Sequence, residues 1–395
     1  MEFRIADRMA RLKPSIIREL LKQTADPALI SFAGGNPAHD AFPLDDIARF
    51  SDELLRKEPV ATLQYSVSEG VPALRSAAGA FFSRRWPVAK DTDTTLIFSG
   101  SQQILDAAAK CLCNEGDVVA VEEPAFLSAY LTFRSSGAVL KGVPMEADGV
   151  DLAALEAVFA APEAEKPRFF YCIPNFQNPT GYTTSLAKRR AIYALSEKYG
   201  VPVLEDDPYG ELRFAGEALP PIKSLGSGEH ILYAGSFSKI LCPGMRVAAC
   251  ICDKGLAGRL TVAKQCSDVH TNVWAQRVCE RVLTKTDVEA HLARLREIYR
   301  RKAERMMDAL DRLCPSITYV RPEGGMFIWG ALPEGADMQR FVQLCLDKKV
   351  AVVPGNAFYT DESAPCRSFR MNFSAPADEA IDRGVALMAE ALAEL

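Results

Sequence analysis

The chain has 395 residues, of which 48% are hydrophobic and 25% are charged, values typical of a globular protein. A net charge of −5 and a pI near 5.6 argue against a basic surface for nucleic acid or an anionic membrane. No apolar run approaches the roughly 18 residues that cross a bilayer. Eleven cysteines lie mostly in apolar runs without zinc-ligand spacing, and only four histidines are present. We therefore expect a reduced, cytoplasmic protein without a metal site.

The N-terminal part is predicted to contain short helices and a short strand. Residues 12–22 predict a helix with Pro14 at its start. A strand from Ile30 then runs into a turn at Gly34 and Gly35, where paired glycines allow another group to approach the backbone closely. Further helical spacing is found at 45–57 and 71–86.

Short apolar runs alternate with helical patterns from Thr94 onwards, which is typical of β-α-β units. Apolar runs of this kind predict strands buried on both faces of a sheet. The fold class is therefore predicted to be α/β, with a large domain whose mostly parallel seven-stranded sheet lies between helices. Ligands of such a sheet lie at the loops beyond the carboxyl ends of the strands. The predicted strands are 95–99, 118–122, 138–143, 168–173, 202–206, 231–235 and 247–252.

Helical periodicity dominates after Thr271, and the tail then mixes helical and strand patterns. Residues 275–313 form a long amphipathic stretch of one or two helices. We predict a smaller α+β domain in this part of the chain, against which the N-terminal segment packs. The predicted boundaries are 1–50 for that segment, 51–285 for the large domain and 286–395 for the small domain.

Lys239 is the first candidate for chemistry. It follows Ser236 and Ser238 in Ser-Phe-Ser-Lys, with Arg246 seven residues later, between two runs that predict buried strands. Burial and a nearby arginine both disfavour a charged amine, so Lys239 could be a nucleophile near neutral pH. The hydroxyls and the guanidinium would suit a phosphorylated carbonyl compound. The alternative is a solvated lysine in a Ser/Gly loop.

Two other strand ends carry polar residues. Ser101 and Gln102 begin a helix after Gly100, where free N–H groups favour a phosphate, although ordinary capping gives the same pattern. Asn178 precedes a proline in Asn-Pro-Thr-Gly. It can point into a crevice, or the sequence can simply form a turn.

Acidic and basic candidates follow further along the chain. The sequence Glu-Asp206-Asp-Pro-Tyr209 ends a predicted buried strand. Because acids are seldom buried without a partner, one of the three is expected to meet a cation, such as a protonated heteroaromatic nitrogen, unless they escape to solvent. Arg370 lies in an alternating strand, where it could bind a substrate carboxylate or lie at the surface.

In combination these motifs resemble the class I/II aminotransferases, which use pyridoxal phosphate and have fold type I. The chain contains Gly-Ser-Gln, Asn-Pro-Thr-Gly, Glu-Asp-Asp-Pro-Tyr, Ser-Phe-Ser-Lys and Phe-Arg-x-x-Phe-Ser in the family's order. Within the family it is most similar to the 2-aminoadipate/kynurenine aminotransferase branch, also called LysN-like. The similarity extends from about Arg11 to the C-terminus.

The resemblance implies an enzyme that moves the amino group of an α-amino acid to a 2-oxo acid, with 2-oxoglutarate as the favoured acceptor, by a ping-pong mechanism. Lys239 would be the Schiff-base lysine, and Asp206 would keep the ring nitrogen of pyridoxal phosphate protonated. Tyr209 and Asn178 would bind the ring's phenolic oxygen. The remaining implied contacts are to the phosphate (Ser101, Gln102, Ser236, Ser238, Arg246), to the ring faces (Phe126, Pro208) and to the substrate (Arg370, Asn178, Gly34, Gly35).

The resemblance also implies a homodimer with active sites at the interface, because Tyr65 lies in a segment from which relatives reach the partner's phosphate. Arg18 resembles an arginine that relatives aim at acidic substrate side chains, although it could be a surface residue balanced by Glu19. Lyases and decarboxylases use the same scaffold, and some transcriptional regulators contain it as a ligand-sensing domain. The acidic charge and the short segment before the first sheet strand disfavour a regulator.

Overall fold

The computed structural model describes residues 3–10, 12 and 28–395. The predicted helix at 12–22 therefore lies almost wholly outside the described residues, and Arg18 lies outside them. Within the described part, the helices are α1 (Asp7–Ala10), α2 (Leu44–Lys57), α3 (Pro59–Leu63), α4 (Pro72–Ser83), α5 (Ser101–Leu112), α6 (Leu127–Ser135), α7 (Leu152–Phe159), α8 (Leu186–Tyr199), α9 (Lys254–Gln265), α10 (Val273–Lys285), α11 (Val288–Leu313), α12 (Met338–Asp347) and α13 (Asp378–Ala393).

Strands alternate with these helices through the middle of the chain. Side-chain caps fix where several helices begin, since Ser185 accepts from the N–H of Lys188 and Asn272 accepts from that of Ala275. The strands are β1 (Ile30–Ser31), β2 (Asp93–Phe98), β3 (Val118–Glu123), β4 (Val139–Glu146), β5 (Gly149–Val150), β6 (Phe170–Cys172), β7 (Val203–Asp207), β8 (Ile231–Ser236), β9 (Ala248–Asp253), β10 (Thr318–Tyr319), β11 (Phe327–Ala331), β12 (Val350–Ala351), β13 (Val353–Pro354) and β14 (Ser368–Asn372).

The large sheet has eight strands in the order β2-β9-β8-β7-β6-β3-β4-β5. Its central pairs are parallel, and β9 is antiparallel to both β8 and β2. The α/β fold class is confirmed, and the sheet contains one strand more than predicted. The extra strand is the two-residue β5, which pairs antiparallel with β4 and is too short to show as an apolar run.

The strand directions bring several chain segments to one edge of this sheet. The parallel strands β3, β6, β7 and β8 all end there. Since β9 runs the opposite way, its first residue Ala248 lies beside Ser236, and the last residue of β2, Phe98, lies beside Ala248. The loops that contain the predicted motifs therefore share this edge.

A second sheet, in the order β10-β11-β14-β13, is built from the C-terminal part of the chain. The N-terminal strand β1 pairs with β12, and the carbonyl of Phe32 accepts a hydrogen bond from the N–H of Asn372. Helix α11 packs against α13 beside these strands. The predicted stretch 275–313 is divided between α10 and α11. The domain boundaries that we assigned from the sequence stay a prediction.

Buried apolar residues form one main cluster that extends from β1 to α13, and a second cluster lies around β6 and α8. Strand β8 is buried at all six positions, as expected for an apolar strand in the middle of a sheet covered on both faces. None of the helices in the described ranges is long and apolar enough to cross a membrane.

Candidate active site

Lys239 lies just beyond the end of β8, at the shared edge of the large sheet. Its Nζ donates a hydrogen bond to the carbonyl of Gly35, at 2.7 Å. Burial and, after it, the charges of Arg370 and Arg246 together lower the pKa of the Lys239 amine from its ordinary value to about 8. Arg370 contributes more than Arg246, the arginine that is near this lysine in sequence. At pH 7 about a tenth of the amine is therefore uncharged, far more than for an ordinary lysine.

Asp206 is buried near the end of β7. Its Oδ2 accepts a hydrogen bond from the hydroxyl of Tyr171 at 3.0 Å, whereas Oδ1 has no hydrogen-bond partner among the described residues. Burial raises the pKa of this carboxyl to about 7, although interactions with the hydroxyls of Tyr171 and, after it, Ser101 oppose the rise. A cationic N–H donor at Oδ1 would stabilise the carboxylate, and the protonated ring nitrogen of pyridoxal phosphate is such a donor.

The acids on either side of Asp206 already have donors. Glu205 accepts from the backbone N–H groups of Ile222 and Lys223, each at 2.8 Å. Asp207 accepts from the amide of Asn175 at 3.0 Å and from the hydroxyl of Tyr233 at 2.9 Å. Glu205 and Asp206 are both buried, which excludes the alternative that these two carboxylates extend into solvent. Asp206 is the acid of this group that has an oxygen free for a ligand.

Arg370 lies in β14 and is buried. Its Nη1 donates to Oδ1 of Asn178 at 2.8 Å and its Nη2 donates to the carbonyl of Ala33 at 2.5 Å, whereas Nε has no partner within the described part of the chain. The rings of Phe327 and Phe358 lie 4.5 and 5.0 Å from the guanidinium carbon. Burial lowers the pKa of Arg370 to about 10, so the group stays cationic at neutral pH. A held, desolvated guanidinium is well suited to bind a carboxylate.

Tyr209 completes this side of the cleft. Its ring contacts that of Phe327 edge-on, with centroids 5.9 Å apart, and its hydroxyl interacts with Asn178. Burial, with the charge of Asp206, raises the pKa of Tyr209 above its ordinary value, so the phenol stays protonated. Asn178 thus lies between Arg370 and Tyr209.

The start of α5 can bind an anion. Gly100 has a φ of +82°, a conformation that favours glycine, and a Cβ there would lie 2.2 Å from Nη2 of Arg246, so that side chain would have to move. The buried hydroxyl of Ser101 forms no hydrogen bond in the described chain, although it is near enough to Asp206 to lower the pKa of that carboxyl. Arg246 is exposed and contacts Oγ of Ser238 at a long 3.4 Å. These groups, with the free N–H groups of the helix, fit the phosphate of pyridoxal phosphate.

The remaining residues predicted to bind the cofactor or the substrate differ in their contacts. The side chain of Gln102 donates to the carbonyl of Ser128 at 3.2 Å and to the hydroxyl of Thr132, so only its backbone N–H is left for an anion. Ser236 accepts from the N–H of Ser238 at 3.2 Å. Phe126 and Pro208 are half-buried next to α6 and Tyr209, and Gly34 precedes the Gly35 carbonyl that Lys239 contacts.

Tyr65 is 83% exposed, and within this chain its ring contacts His270, with centroids 5.6 Å apart. Among the described residues, no hydrogen bond or ring contact joins its side chain to the cleft of its own chain. Its prediction concerned the cleft of a partner subunit, and that stays a prediction.

Two residues that the sequence did not indicate stabilise the loop that contains Asn178 through buried hydrogen bonds. Glu122 is buried and accepts from the N–H of Ile173 at 3.0 Å and from the amide of Gln177 at 3.2 Å. Gln177 also accepts from the N–H of Thr180 at 3.0 Å, so it braces the loop that contains Asn178. Glu122 and Gln177 read as ordinary strand and turn residues, and only the fold shows that they meet.

Tyr171 was also missed, and for this residue a signal existed. Tyr171 is paired in register with Leu204, and residues two apart in a strand share a face. The side chains of Tyr171 and Asp206 are therefore expected on the same face of the sheet, once the pairing of these two parallel strands is known.

A family model described as "Aminotransferase class I and II" matches residues 27–387 of the chain. Among characterised relatives, the 2-aminoadipate transaminase of Thermus thermophilus is 38% identical over 386 residues, which cover 97% of this chain and 94% of that protein. The aromatic-amino-acid aminotransferase 1 of Thermococcus litoralis is 34% identical over 386 residues, covering 97% of this chain and 92% of that protein.

A solved structure gives the same result. The crystal structure of LysN, the α-aminoadipate aminotransferase of Thermus thermophilus, superposes with a TM-score of 0.90 at 36% identity. The match covers 99% of this chain and 97% of that chain. That protein was crystallised with N-(5'-phosphopyridoxyl)-L-leucine.

Proposed function

Because the chain belongs to the class I and II aminotransferase family and is a pyridoxal phosphate-dependent aminotransferase, we propose that its cleft residues divide the work of amino transfer as follows. The cofactor supplies an aldehyde and a protonated ring that withdraws electrons from the substrate's α-carbon. The observation that carries the assignment is a lysine of lowered pKa in a cleft where Asp206 Oδ1 and Ser101 Oγ form no hydrogen bond in the described chain.

Lys239 is proposed to move the proton. An amine with a pKa of about 8 can be neutral in one step and charged in the next at physiological pH, which is the requirement for a general base that later acts as an acid. We propose that its Nζ takes the proton from the α-carbon of the amino acid and returns it to the cofactor's aldehyde carbon. Asp206 holds the proton on the ring nitrogen, and Tyr209 and Asn178 bind the phenolic oxygen.

Arg370 is proposed to bind the α-carboxylate of both substrates. The faces of its guanidinium are next to aromatic rings and two of its nitrogens are held by Asn178 and Ala33. Its orientation is therefore fixed before the substrate arrives, and such preorganisation lowers the entropic cost of binding. Gly34 and Gly35 would line the substrate side of this cleft.

The anion site at the start of α5 is proposed to hold the cofactor phosphate. Ser101 and the backbone N–H of Gln102 would contact it at the helix N-terminus, with Ser236, Ser238 and Arg246 on the Lys239 loop. Phe126 and Pro208 would lie against the two faces of the ring. Because backbone N–H and hydroxyl groups, with Arg246, would hold the phosphate, this part of the site would fix the position of the cofactor without selecting the amino acid.

We propose that the active enzyme is a homodimer in which Tyr65 reaches the phosphate of the partner subunit. Besides Tyr65, several residues in nearby segments expose large apolar side chains, among them Val60 at 75%, Leu63 at 69% and Val269 at 51%. An exposed apolar patch of this kind is typical of a surface that is covered in an assembly.

The amino donors that we propose first are 2-aminoadipate and aromatic amino acids, because the relatives named above act on them, and the proposed acceptor is 2-oxoglutarate. The test mixes purified protein and pyridoxal phosphate with glutamate. Glutamate alone should convert the visible band of the lysine-bound cofactor to the band of its aminated form, as a ping-pong enzyme requires. Release of carbon dioxide or ammonia without an acceptor would instead indicate a lyase or decarboxylase.

A panel of donors then ranks 2-aminoadipate, aromatic and branched-chain amino acids and alanine by kcat/KM with 2-oxoglutarate. If Arg18 selects acidic side chains, Arg18→Ala should lower kcat/KM for 2-aminoadipate about tenfold or more, which is the size of one lost charge-assisted contact, and leave aromatic donors unchanged. An equal effect on all donors would contradict that role.

A further inference from the structure

We propose that Tyr171 is a positioning residue for the reaction: its hydroxyl fixes the Asp206 carboxylate through Oδ2, so that Oδ1 is the oxygen presented to the cofactor's ring nitrogen. This inference rests on the proposed role of Asp206 and goes beyond it, because it assigns the support of that carboxylate to one hydrogen bond from the neighbouring strand.

The geometry of the pair leaves the hydroxyl little freedom. Tyr171 is fully buried in β6, and its ring packs edge-on against Phe133, with centroids 5.5 Å apart. The hydroxyl donates to Oδ2 of Asp206 at 3.0 Å. Burial and the charge of Asp206 raise the pKa of Tyr171, so its hydroxyl keeps the proton that it donates. Rotation of the carboxylate would break this bond.

The hydrogen bond also influences which partner holds the shared proton. Burial and the neighbouring Asp207 favour a neutral Asp206, whereas Tyr171 at Oδ2, and after it Ser101, favour the carboxylate. If the donor were removed, the proton between Asp206 and the ring nitrogen would lie closer to the carboxyl. A ring nitrogen without its proton is a weaker electron acceptor, so Tyr171 would act on catalysis without touching substrate or cofactor.

The chain contains the same chemical pair a second time, which provides a matched control. Tyr233, in the strand on the other side of β7, donates to Oδ2 of Asp207 at 2.9 Å and is also buried. Asp207 and Asp206 are consecutive and so point to opposite faces of the sheet. Asp207 has further donors in Asn175 and in the N–H of Gly210. Tyr233→Phe therefore deletes the same atom from an equivalent pair away from the cleft.

The test compares Tyr171→Phe with Tyr233→Phe, each loaded with cofactor carrying ¹⁵N in its ring. For Tyr171→Phe we expect the nitrogen resonance to move towards the unprotonated position. The Kd of the cofactor should rise on the order of tenfold or more, as for one lost hydrogen bond to a charged group. Turnover should fall while the KM of the amino donor changes less than twofold. For Tyr233→Phe we expect the resonance and the Kd to stay within twofold of the parent values.

Four results would contradict the inference or the proposal on which it rests. An unchanged resonance and Kd in Tyr171→Phe would contradict it, and equal changes in both variants would show a merely structural role. Asp206→Asn distinguishes a failure of the Tyr171 proposal from a failure of the Asp206 proposal. If this variant too leaves the resonance unchanged, the proposed role of Asp206 itself is wrong. If Tyr171→Phe does not fold, 3-fluorotyrosine at position 171 keeps the ring and strengthens the donor. It should then move the resonance towards the protonated position, and no movement would contradict the proposal.

Discussion

Two lysines lie on either side of strand β8, and they differ in whether an acidic side chain lies beside the amine. Lys223, before the strand, has a fully buried side chain whose Nζ donates to Oδ1 of Asp93 at 2.9 Å and to the carbonyl of Gly228 at 2.8 Å. Lys239, after the strand, donates to the carbonyl of Gly35, and within the described chain it forms no ion pair. Its charged neighbours are arginines. An anionic partner therefore holds one lysine as a structural cation, and its absence leaves the other amine available for chemistry.

The largest effect that separates the two lysines is expected in activity. Lys239→Ala removes the group that we propose as nucleophile and proton carrier, so turnover should fall on the order of 10⁴-fold or more. The free energy of unfolding should not decrease, because the amine is partly desolvated without a counter-ion. Turnover with glutamate and 2-oxoglutarate, and urea unfolding of the cofactor-free protein, measure the two quantities. A variant that kept the visible band of covalently bound cofactor would contradict the assignment.

Lys223→Ala should give the opposite pattern. It leaves the buried carboxylate of Asp93 without its partner, and breaking a buried pair in this way costs about 3–5 kcal/mol of the free energy of unfolding. The folded fraction should still bind the cofactor covalently with a normal spectrum. A paired change, Lys223→Met with Asp93→Leu, should recover most of the lost stability, since it removes both charges. If Lys223→Ala abolished turnover without changing the unfolding midpoint, the contrast between the two lysines would be wrong.

The smallest expected effect is a shift in the pH at which the Lys239 amine loses its proton. Its pKa is lowered from the ordinary 10.5 to about 8, first by burial and then by Arg370 and Arg246. Only the neutral amine attacks an aldehyde, so the rate of cofactor attachment should rise with pH through a midpoint near 8. In Arg370→Gln the loss of a nearby positive charge makes protonation easier, and the midpoint should move to higher pH.

Stopped-flow absorbance at a series of pH values measures this midpoint. Arg246→Gln is the control. Because Arg246 lowers the pKa of Lys239 less than Arg370 does, the midpoint of the Arg246→Gln variant should move less than that of Arg370→Gln. A midpoint in Arg370→Gln that stays at the parent value would show that burial alone lowers the pKa.

The same contrast shows what could be predicted from the sequence. Lys239, Asp206 and Asn178 were found because they follow buried strands, and the carboxyl ends of parallel strands share an edge. The α/β class followed from the alternation of apolar runs with helical patterns, and the family followed from the motifs. Nothing in the sequence near Lys223 distinguished it as the structural lysine, since its partner Asp93 is 130 residues away.

Long-range contacts explain the other differences. The sequence placed Arg246 beside Lys239, whereas the larger effect comes from Arg370 in the small sheet. Gln102 was expected to face the phosphate, but its side chain is used by helix α6, which packs against α5. Such choices depend on which helix packs against which, and local spacing contains no information about them.

The contact between Arg370 and Ala33 joins residues that are 337 positions apart. During synthesis the segment that contains Ala33 leaves the ribosome long before Arg370 exists. Until then the Lys239 amine has Arg246 but not Arg370 near it. The carboxylate site is thus finished only after Arg370 has been made. Closing so long a loop also favours slow folding.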